Sequence, residues 1–481
     1  MSFDLVVKNG MVVDGSGLDF FNKLSFELSD TTELTTGILS IDDKISLVDA
    51  SRGSAGANYD DAYFWLRLDR HPADGIRASY QLSVTRLDSD REGQLAEPNV
   101  VTGSLDDRRA FNAIGLRADW SRAFGDRQLA RWGLALDDSE AAYAFDLSRQ
   151  LPYPIATPGF PQPGNQRSLD ENLSQRQFGA YASYRVQPTD RLVAEIGLRY
   201  DLQSYLDAAQ TSPRLSLLLD LSDRTTLRAS WGRFHQPQGL DELQVGDGLT
   251  APYPAQEAEH LVLSLEHALT DSISLRVETY SKQFERLRPR FENLFTRVSL
   301  IPELLPDRAM ILPGEGEAVG IEFSLSAMRD HWQWWFNMTR ANVRDEMGGL
   351  RVRRSWEERW SVKGGFIWTG PRWNASLQTT NRSGWPITTP VLNGATLGIG
   401  GYNADTLEEF RSIDLRGARH YTLEHGTIEL FMEFQNLLDR KNPCCYDYEL
   451  QTDLAGQPQG LLIDSNAWLP AIPSIGFLWQ F

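Results

Sequence analysis

The sequence predicts an all-β fold, a large antiparallel transmembrane β-barrel. Three observations carry that prediction. Apolar and polar residues alternate with period two through most of the 481 residues. Tight turns and long irregular segments succeed one another in regular order. The chain also stops on a strand with aromatics on one face.

Composition narrows the class. Acids outnumber bases, 65 to 47, for a formal net charge of −18, so nucleic acid is not an expected partner. No run of about eighteen apolar residues exists to make a membrane helix. A mean hydropathy of −0.38 is compatible with a membrane barrel, whose strands are apolar on one face only. The two cysteines, Cys444 and Cys445, are adjacent, which excludes a disulfide scaffold and a Cys-rich zinc site. The first residues do not read as a secretory signal, because Asp4 and Lys8 interrupt the apolar stretch.

Strands follow from the alternation. Leu192, Ala194, Ile196, Leu198, Tyr200 and Leu202 share one face, opposite Val193, Glu195, Gly197, Arg199 and Asp201. Ile273, Leu275 and Val277 stand opposite Ser274, Arg276 and Glu278, and Ile428, Leu430, Met432 and Phe434 opposite Glu429, Glu433 and Gln435. Tight turns fall at 29–31, 71–74, 124–126, 187–190, 222–223, 270–271, 329–330, 370–371 and 424–426. Longer segments such as 151–169, 236–255 and 386–407 separate the hairpins. Two strands per turn plus a terminal one from Ser474 to Phe481 give about nineteen strands, each often about ten to fifteen residues long. Short turns at one rim and long loops at the other are the plan of an outer-membrane barrel. A soluble β-rich surface binding protein is the alternative.

Aromatics gather at strand ends beside the short turns. Trp332, Trp334 and Phe336 follow one turn, while Phe366, Trp368 and Trp373 flank another. Rings with a polar edge suit the headgroup level of a membrane. In the last strand Ile475, Phe477, Trp479 and Phe481 share a face expected to point outward, with Leu478 and Gln480 inward. Ser474, Gly476, Trp479 and Phe481 together resemble the C-terminal assembly signal of outer-membrane barrels. That resemblance implies recognition by the barrel assembly machinery.

Three strings resemble the TonB-dependent receptor family. They are Gly115-Leu116-Arg117-Ala118-Asp119-Trp120-Ser121 with Arg131-Trp132-Gly133, Ser212-Pro213-Arg214-Leu215-Ser216-Leu217 with Leu227-Arg228-Ala229-Ser230-Trp231-Gly232, and Phe434-Gln435-Asn436-Leu437-Leu438-Asp439-Arg440. They occur in the family's order. The resemblance implies a barrel of about twenty-two strands, an N-terminal plug, and a TonB box that contacts the energy-coupling protein. Alternation beginning near Asn22 leaves no room for plug or box, so the expectation is a truncated, coupling-incompetent barrel lacking about three strands, open along its seam and empty inside.

Residues 1–17 resemble the start of an amidohydrolase of the N-acyl-D-amino-acid deacylase kind, with a hairpin around Asn9-Gly10. The seven histidines contain no His-x-His pair, so no metal site comes with that resemblance. The expected domains are a foreign segment, 1–18, outside the wall, and a barrel, 19–481. An unusual first strand of the barrel is the alternative reading of the same residues.

Candidate ligand-binding residues lie where strands meet long loops: Arg233, His235 and Gln236; Arg286, Arg288 and Arg290; Arg351, Arg353 and Arg354. The arginines suit an anionic ligand such as a metal chelate, or pairing with lumen acids or lipopolysaccharide phosphates. Cys444-Cys445 suits either a vicinal disulfide or reduced thiols. No catalytic arrangement, cofactor motif or metal set stands out, so an enzyme is not expected. The expected function is an outer-membrane receptor or transporter for a scarce small-molecule nutrient, with iron-siderophore uptake as the default class, embedded in outer-membrane lipid and lipopolysaccharide. A passive porin-like channel is the alternative within membranes.

Overall fold

A two-faced strand is stable only where each face meets its own solvent, and a meander of such strands curls so that the polar faces line an interior. The computed structural model describes residues 4–480, apart from 9–10, 50–51, 73–74, 98–99, 153–154, 207, 297–298, 395, 425 and 454–457. Its principal element is a 21-stranded sheet. The first eight strands are β1 (Asp4–Lys8), β2 (Met11–Ser29), β3 (Thr32–Asp49), β4 (Gly53–Arg70), β5 (Ile76–Glu97), β6 (Val101–Ala123), β7 (Gln128–Gln150) and β8 (Gln166–Thr189). Shorter strands follow: β9 (Leu192–Gln203), β10 (Ala208–Ser222), β11 (Thr225–Gln236), β12 (Gln256–Thr270), β13 (Ile273–Glu285), β14 (Glu315–Arg329) and β15 (Trp332–Met347). The sheet ends with β16 (Leu350–Arg353), β17 (Trp360–Thr369), β18 (Trp373–Arg382), β19 (Phe410–Leu423), β20 (Gly426–Gln435) and β21 (Ile472–Gln480).

Neighbours in sequence are antiparallel neighbours in the sheet, except that β16 only extends the top of β15, which also pairs with β17. The nineteen strands expected from the turns are all present. β1 and β16 are additional. The hairpin expected around Asn9-Gly10 also forms, with Val7 opposite Val12 and Lys8 opposite Met11; Asn9 and Gly10 themselves lie outside the described residues. Its second arm does not stand apart from the wall. Met11–Ser29 is one continuous strand paired with β3 from Met11 to Ser29, so the expected separation near residue 18 is not seen. Among the described residues no ladder joins β1 to β21.

The outward face is apolar and exposed. Ile196, Leu198, Tyr200 and Leu202 lie on it, in register with Leu215 on β10 and Phe178 on β8. The opposite face carries Arg199, whose Nε donates to Asp201 at 2.8 Å. On β21, Ile475, Phe477 and Trp479 pair with Met432, Leu430 and Ile428 and share their outward face, as expected; Leu478 and Gln480 face inward. Phe481 lies outside the described residues.

Gly476 has a physical role in this last strand. It lies opposite Phe431, whose ring covers it on the inner side, so a Cβ would collide with the ring. The Arg416 guanidinium stacks on the other side of that ring, 4.6 Å from its centre. Gly37 and Trp65, Gly320 and Tyr280, and Gly365 and Trp335 repeat the device on the inner face. Each glycine seats a cross-strand aromatic flat against the wall.

Candidate functional site

The long loops all leave the rim opposite the tight turns, and two of them fold inward. Their docking surface is written in the strands. On β7 the apolar residues near the turn rim, Trp132, Leu134 and Leu136, are even-numbered and face outward. Higher on the same strand Ala141, Tyr143, Phe145 and Leu147 are odd-numbered, face inward and are buried. The apolar face therefore changes sides along one strand. Leu240, Leu243 and Val245 of the 237–255 loop pack on Ala141 and Tyr143. Ile301 and Leu304 of the 286–314 loop pack on Leu105, Phe145 and Leu147.

A third cluster, Ile155, Leu294, Phe295, Ala309 and Ile311, ties the 286–314 loop to the 151–165 loop. The expected empty interior is thus corrected: its upper part is filled by a cap of loops, because the upper inner wall is apolar and must be covered.

Polar pins fix the cap above the apolar band. Arg91 on β5 binds Asp107 on β6 and donates to Glu303 of the loop at 2.9 Å. Arg109 donates to Asp107 at 2.9 Å. Arg149 on β7 donates to the Glu303 and Leu305 carbonyls at 2.8 and 2.9 Å. Burial works against the Arg91 charge, but Glu303 and Asp107 outweigh it and raise its pKa. Within the cap, Asp307 accepts from the Phe295 and Thr296 N–H groups at 2.7 and 2.8 Å and from Asn293 at 3.0 Å. Complete burial still pushes its carboxyl above the usual aspartate value. Asp247 is raised by burial too, although Arg308 holds it.

The structure brings the basic residues singled out in the sequence together in part: Arg233, His235 and Arg286 meet at Glu257, Arg290 and Arg354 meet at Asp345, and Arg288, Arg351 and Arg353 stand on other acids. By register Arg233 shares the outward face with Trp231, and it meets Glu257 at 3.0 Å and Glu259 at 3.5 Å. His235 lies 3.3 Å from Glu257 and 3.0 Å from the Ser212 hydroxyl, while Gln236 ends β11 opposite Gln256. Arg286 pairs with Glu257, Arg288 with Glu242 at 2.8 Å, and Arg351 with Glu317 at 2.9 Å. Arg290 and Arg354 converge on buried Asp345, at 3.1 and 2.8 Å. Arg353 binds Glu357 at 2.9 Å and Thr406 at 2.8 Å. Every one of these arginines has a carboxylate partner. Cys444 and Cys445 are half-buried at the start of the strand Pro443–Thr452, where Cys444 is the extra residue of a bulge.

A groove of about 520 Å³ opens on the inner face of β18, β19 and β20, beneath the 436–471 loop. Gln378, Thr380, Ser412 and Gln435 line its wall, and Phe410 and Trp468 its upper end. The string Phe434 to Arg440 builds the hinge that hangs the loop there. Asn436 donates from its backbone to Asp414 at 2.9 Å and from its side chain to the Arg440 and Leu469 carbonyls at 3.0 and 3.3 Å. Asn442, buried, bonds both the N–H and the C=O of Arg411, at 2.8 and 2.9 Å. Its carbonyl accepts from the Trp468 N–H at 2.8 Å. Sequence reasoning found the string but not the groove. Trp468 and Gln378 are 90 positions apart, and only strand register brings them together. Among the described residues no cluster of His, Cys, Asp or Glu is arranged to hold a metal ion.

A family model described as TonB dependent receptor-like, beta-barrel, matches residues 9–437. No curated protein matches the chain. Among solved structures, it is similar to FpvA of Pseudomonas aeruginosa bound to a heterologous pyoverdine, at 14% identity and a TM-score of 0.65. That match covers 98% of this chain and 65% of FpvA, so the chain spans just under two thirds of that receptor's length. The ferric citrate transporter FecA is similar at 12% identity, covering 98% of this chain and 71% of FecA, with a TM-score of 0.64. The outer membrane transporter YddB from Escherichia coli is similar at 9% identity, covering 97% and 69%, with a TM-score of 0.64. These identities speak for the fold.

Proposed function

The chain belongs to the TonB-dependent receptor-like β-barrel family, whose members are receptors and transporters rather than enzymes, and from that premise we propose that it forms the wall of a receptor in the bacterial outer membrane that takes up a scarce small solute. One observation carries the reading. Near the turn rim, strands such as β7, β9 and β21 turn apolar side chains outward, and Arg199 and Asp201 of β9 face inward, while the long loops leave the opposite rim. That arrangement suits a wall with lipid outside, water inside and ligand-collecting loops at the cell surface.

Iron chelates are the default solute class, because similar structures are described as a pyoverdine-bound receptor and a ferric citrate transporter. Outward Arg233 and exposed Arg351 are suited to lipopolysaccharide phosphates as well as to their carboxylate partners. The strand β21 is suited to engage the assembly machinery through Ser474, Gly476, Trp479 and Phe481, and coupling to TonB is the family's expectation. Separation of the two membranes on a density gradient tests the reading. The protein should sediment with outer-membrane markers; recovery in the soluble fraction would refute it.

A further inference from the structure

The groove beneath Trp468 narrows the class of ligand, and this inference rests on the receptor reading above. Its volume, about 520 Å³, lies within the range of roughly 300–1,000 Å³ typical of small-molecule sites. Its wall is a lattice of neutral donors and acceptors: the amides of Gln378 and Gln435 and the hydroxyls of Ser376, Thr380 and Ser412. Its charged groups are Asp414, Glu433 and Arg416. The Arg416 guanidinium is bound to Glu429 and lies 3.9 Å from Glu433, so it has little to offer an anion. Above it, Arg382 lies 3.4 Å from Glu358 and stacks on Trp385 and Phe410, 4.1 and 4.7 Å from their ring centres, while Lys363 stands exposed beside the groove, cross-strand from Thr380. Among its lining residues the groove therefore has two carboxylates against one arginine that is already paired, so the lining itself offers an anion little.

Trp468 supplies the remaining element. It is half exposed at the mouth of the groove, its backbone N–H is held by Asn442, and its ring stands nearly perpendicular to that of Trp385, with centroids 6.2 Å apart. A fixed indole face beside many hydroxyl and amide groups suits a ligand with an apolar face and a polar rim. We propose that this groove binds an uncharged, polyhydroxylated solute, of the kind a short oligosaccharide presents, with a sugar face stacked on Trp468 and its hydroxyls bonded to Gln378, Gln435 and Asp414.

The test is equilibrium binding by the full-length protein in detergent, followed by tryptophan fluorescence, with maltotriose, cellotriose, xylotriose and ferric citrate as probes. At least one trisaccharide should bind saturably. Trp468→Ala and Gln378→Leu should each weaken it at least tenfold, and Trp373→Ala, on the outward face, should leave it unchanged. Heat-dependent gel mobility would verify that each variant is folded. Ferric citrate should give no Trp468-dependent signal. Absence of trisaccharide binding, binding indifferent to Trp468, or Trp468-dependent binding of ferric citrate would each overturn the proposal. Failure of the receptor reading would appear separately, as a protein that does not sediment with the outer membrane.

Discussion

The wall is tall on one side and low on the other. Strands β2 to β8 run 18 to 24 residues each, and their first loop-rim connections are minimal. Strands β9 to β15 run 12 to 16 residues, and from β11 onward the connections are long. A membrane crossing needs only about 9–11 residues, so the tall side stands well clear of the lipid. The surplus strand length serves the other side's loops. Segments 237–255 and 286–314 leave the low side and dock on the inner face of β5, β6 and β7. The tall wall is thus a backrest, and the low wall supplies what leans on it.

Removing the pin between them should have the largest effect. Glu303→Ala removes one of the two carboxylates that hold buried Arg91, and a hydrogen bond to a charged group is typically worth about 1.5–3 kcal/mol. Limited proteolysis should then cut within 286–314 while heat-dependent gel mobility of the barrel is unaltered. A loop as resistant as in the parent would mean that the tall wall does not hold it.

A change inside the wall should cost less. Gly476→Ala forces the Phe431 ring off its seat, an overpacking cost of about 1–3 kcal/mol. Outer-membrane yield should fall, and the added change Phe431→Ala should restore part of it. No recovery in the double variant would show that the glycine is needed for something other than this ring.

The smallest effect is expected at the rim. Arg351 is largely exposed beside Glu317, and Arg351→Ala should cost less than about 1 kcal/mol by chemical unfolding. A larger loss would mean that this rim is as tightly built as the cap.

The strands were legible because lipid and water impose period two on every crossing, as at Leu192 to Leu202. The cap was not, for a reason visible in β7. Trp132, Leu134 and Leu136 alternate just as Ala141, Tyr143, Phe145 and Leu147 do, and both stretches read as strand. The informative feature is the change from even to odd apolar positions across Asp137 to Glu140, which marks where the strand leaves lipid and begins to cover a loop. On β6 the same change separates Leu116 and Ile114 from Phe111 and Leu105. The arginines were legible as a rim suited to pairing with acids, but their partners were not, since Arg290 and Asp345 meet only through the fold. The ending Ser474 to Phe481 was legible as a pattern; the seat that Gly476 makes for Phe431 required the register.

Sidedness of the two rims in intact cells tests the central claim most directly. In a Cys444→Ser/Cys445→Ser background, single cysteines would replace exposed Leu438, in the 436–471 loop, and Asp223, in the turn between β10 and β11. With a membrane-impermeant maleimide, Leu438→Cys should label in intact cells and Asp223→Cys only after the outer membrane is opened. Labelling of Asp223→Cys in intact cells, with Leu438→Cys protected, would contradict a receptor wall whose long loops face outward.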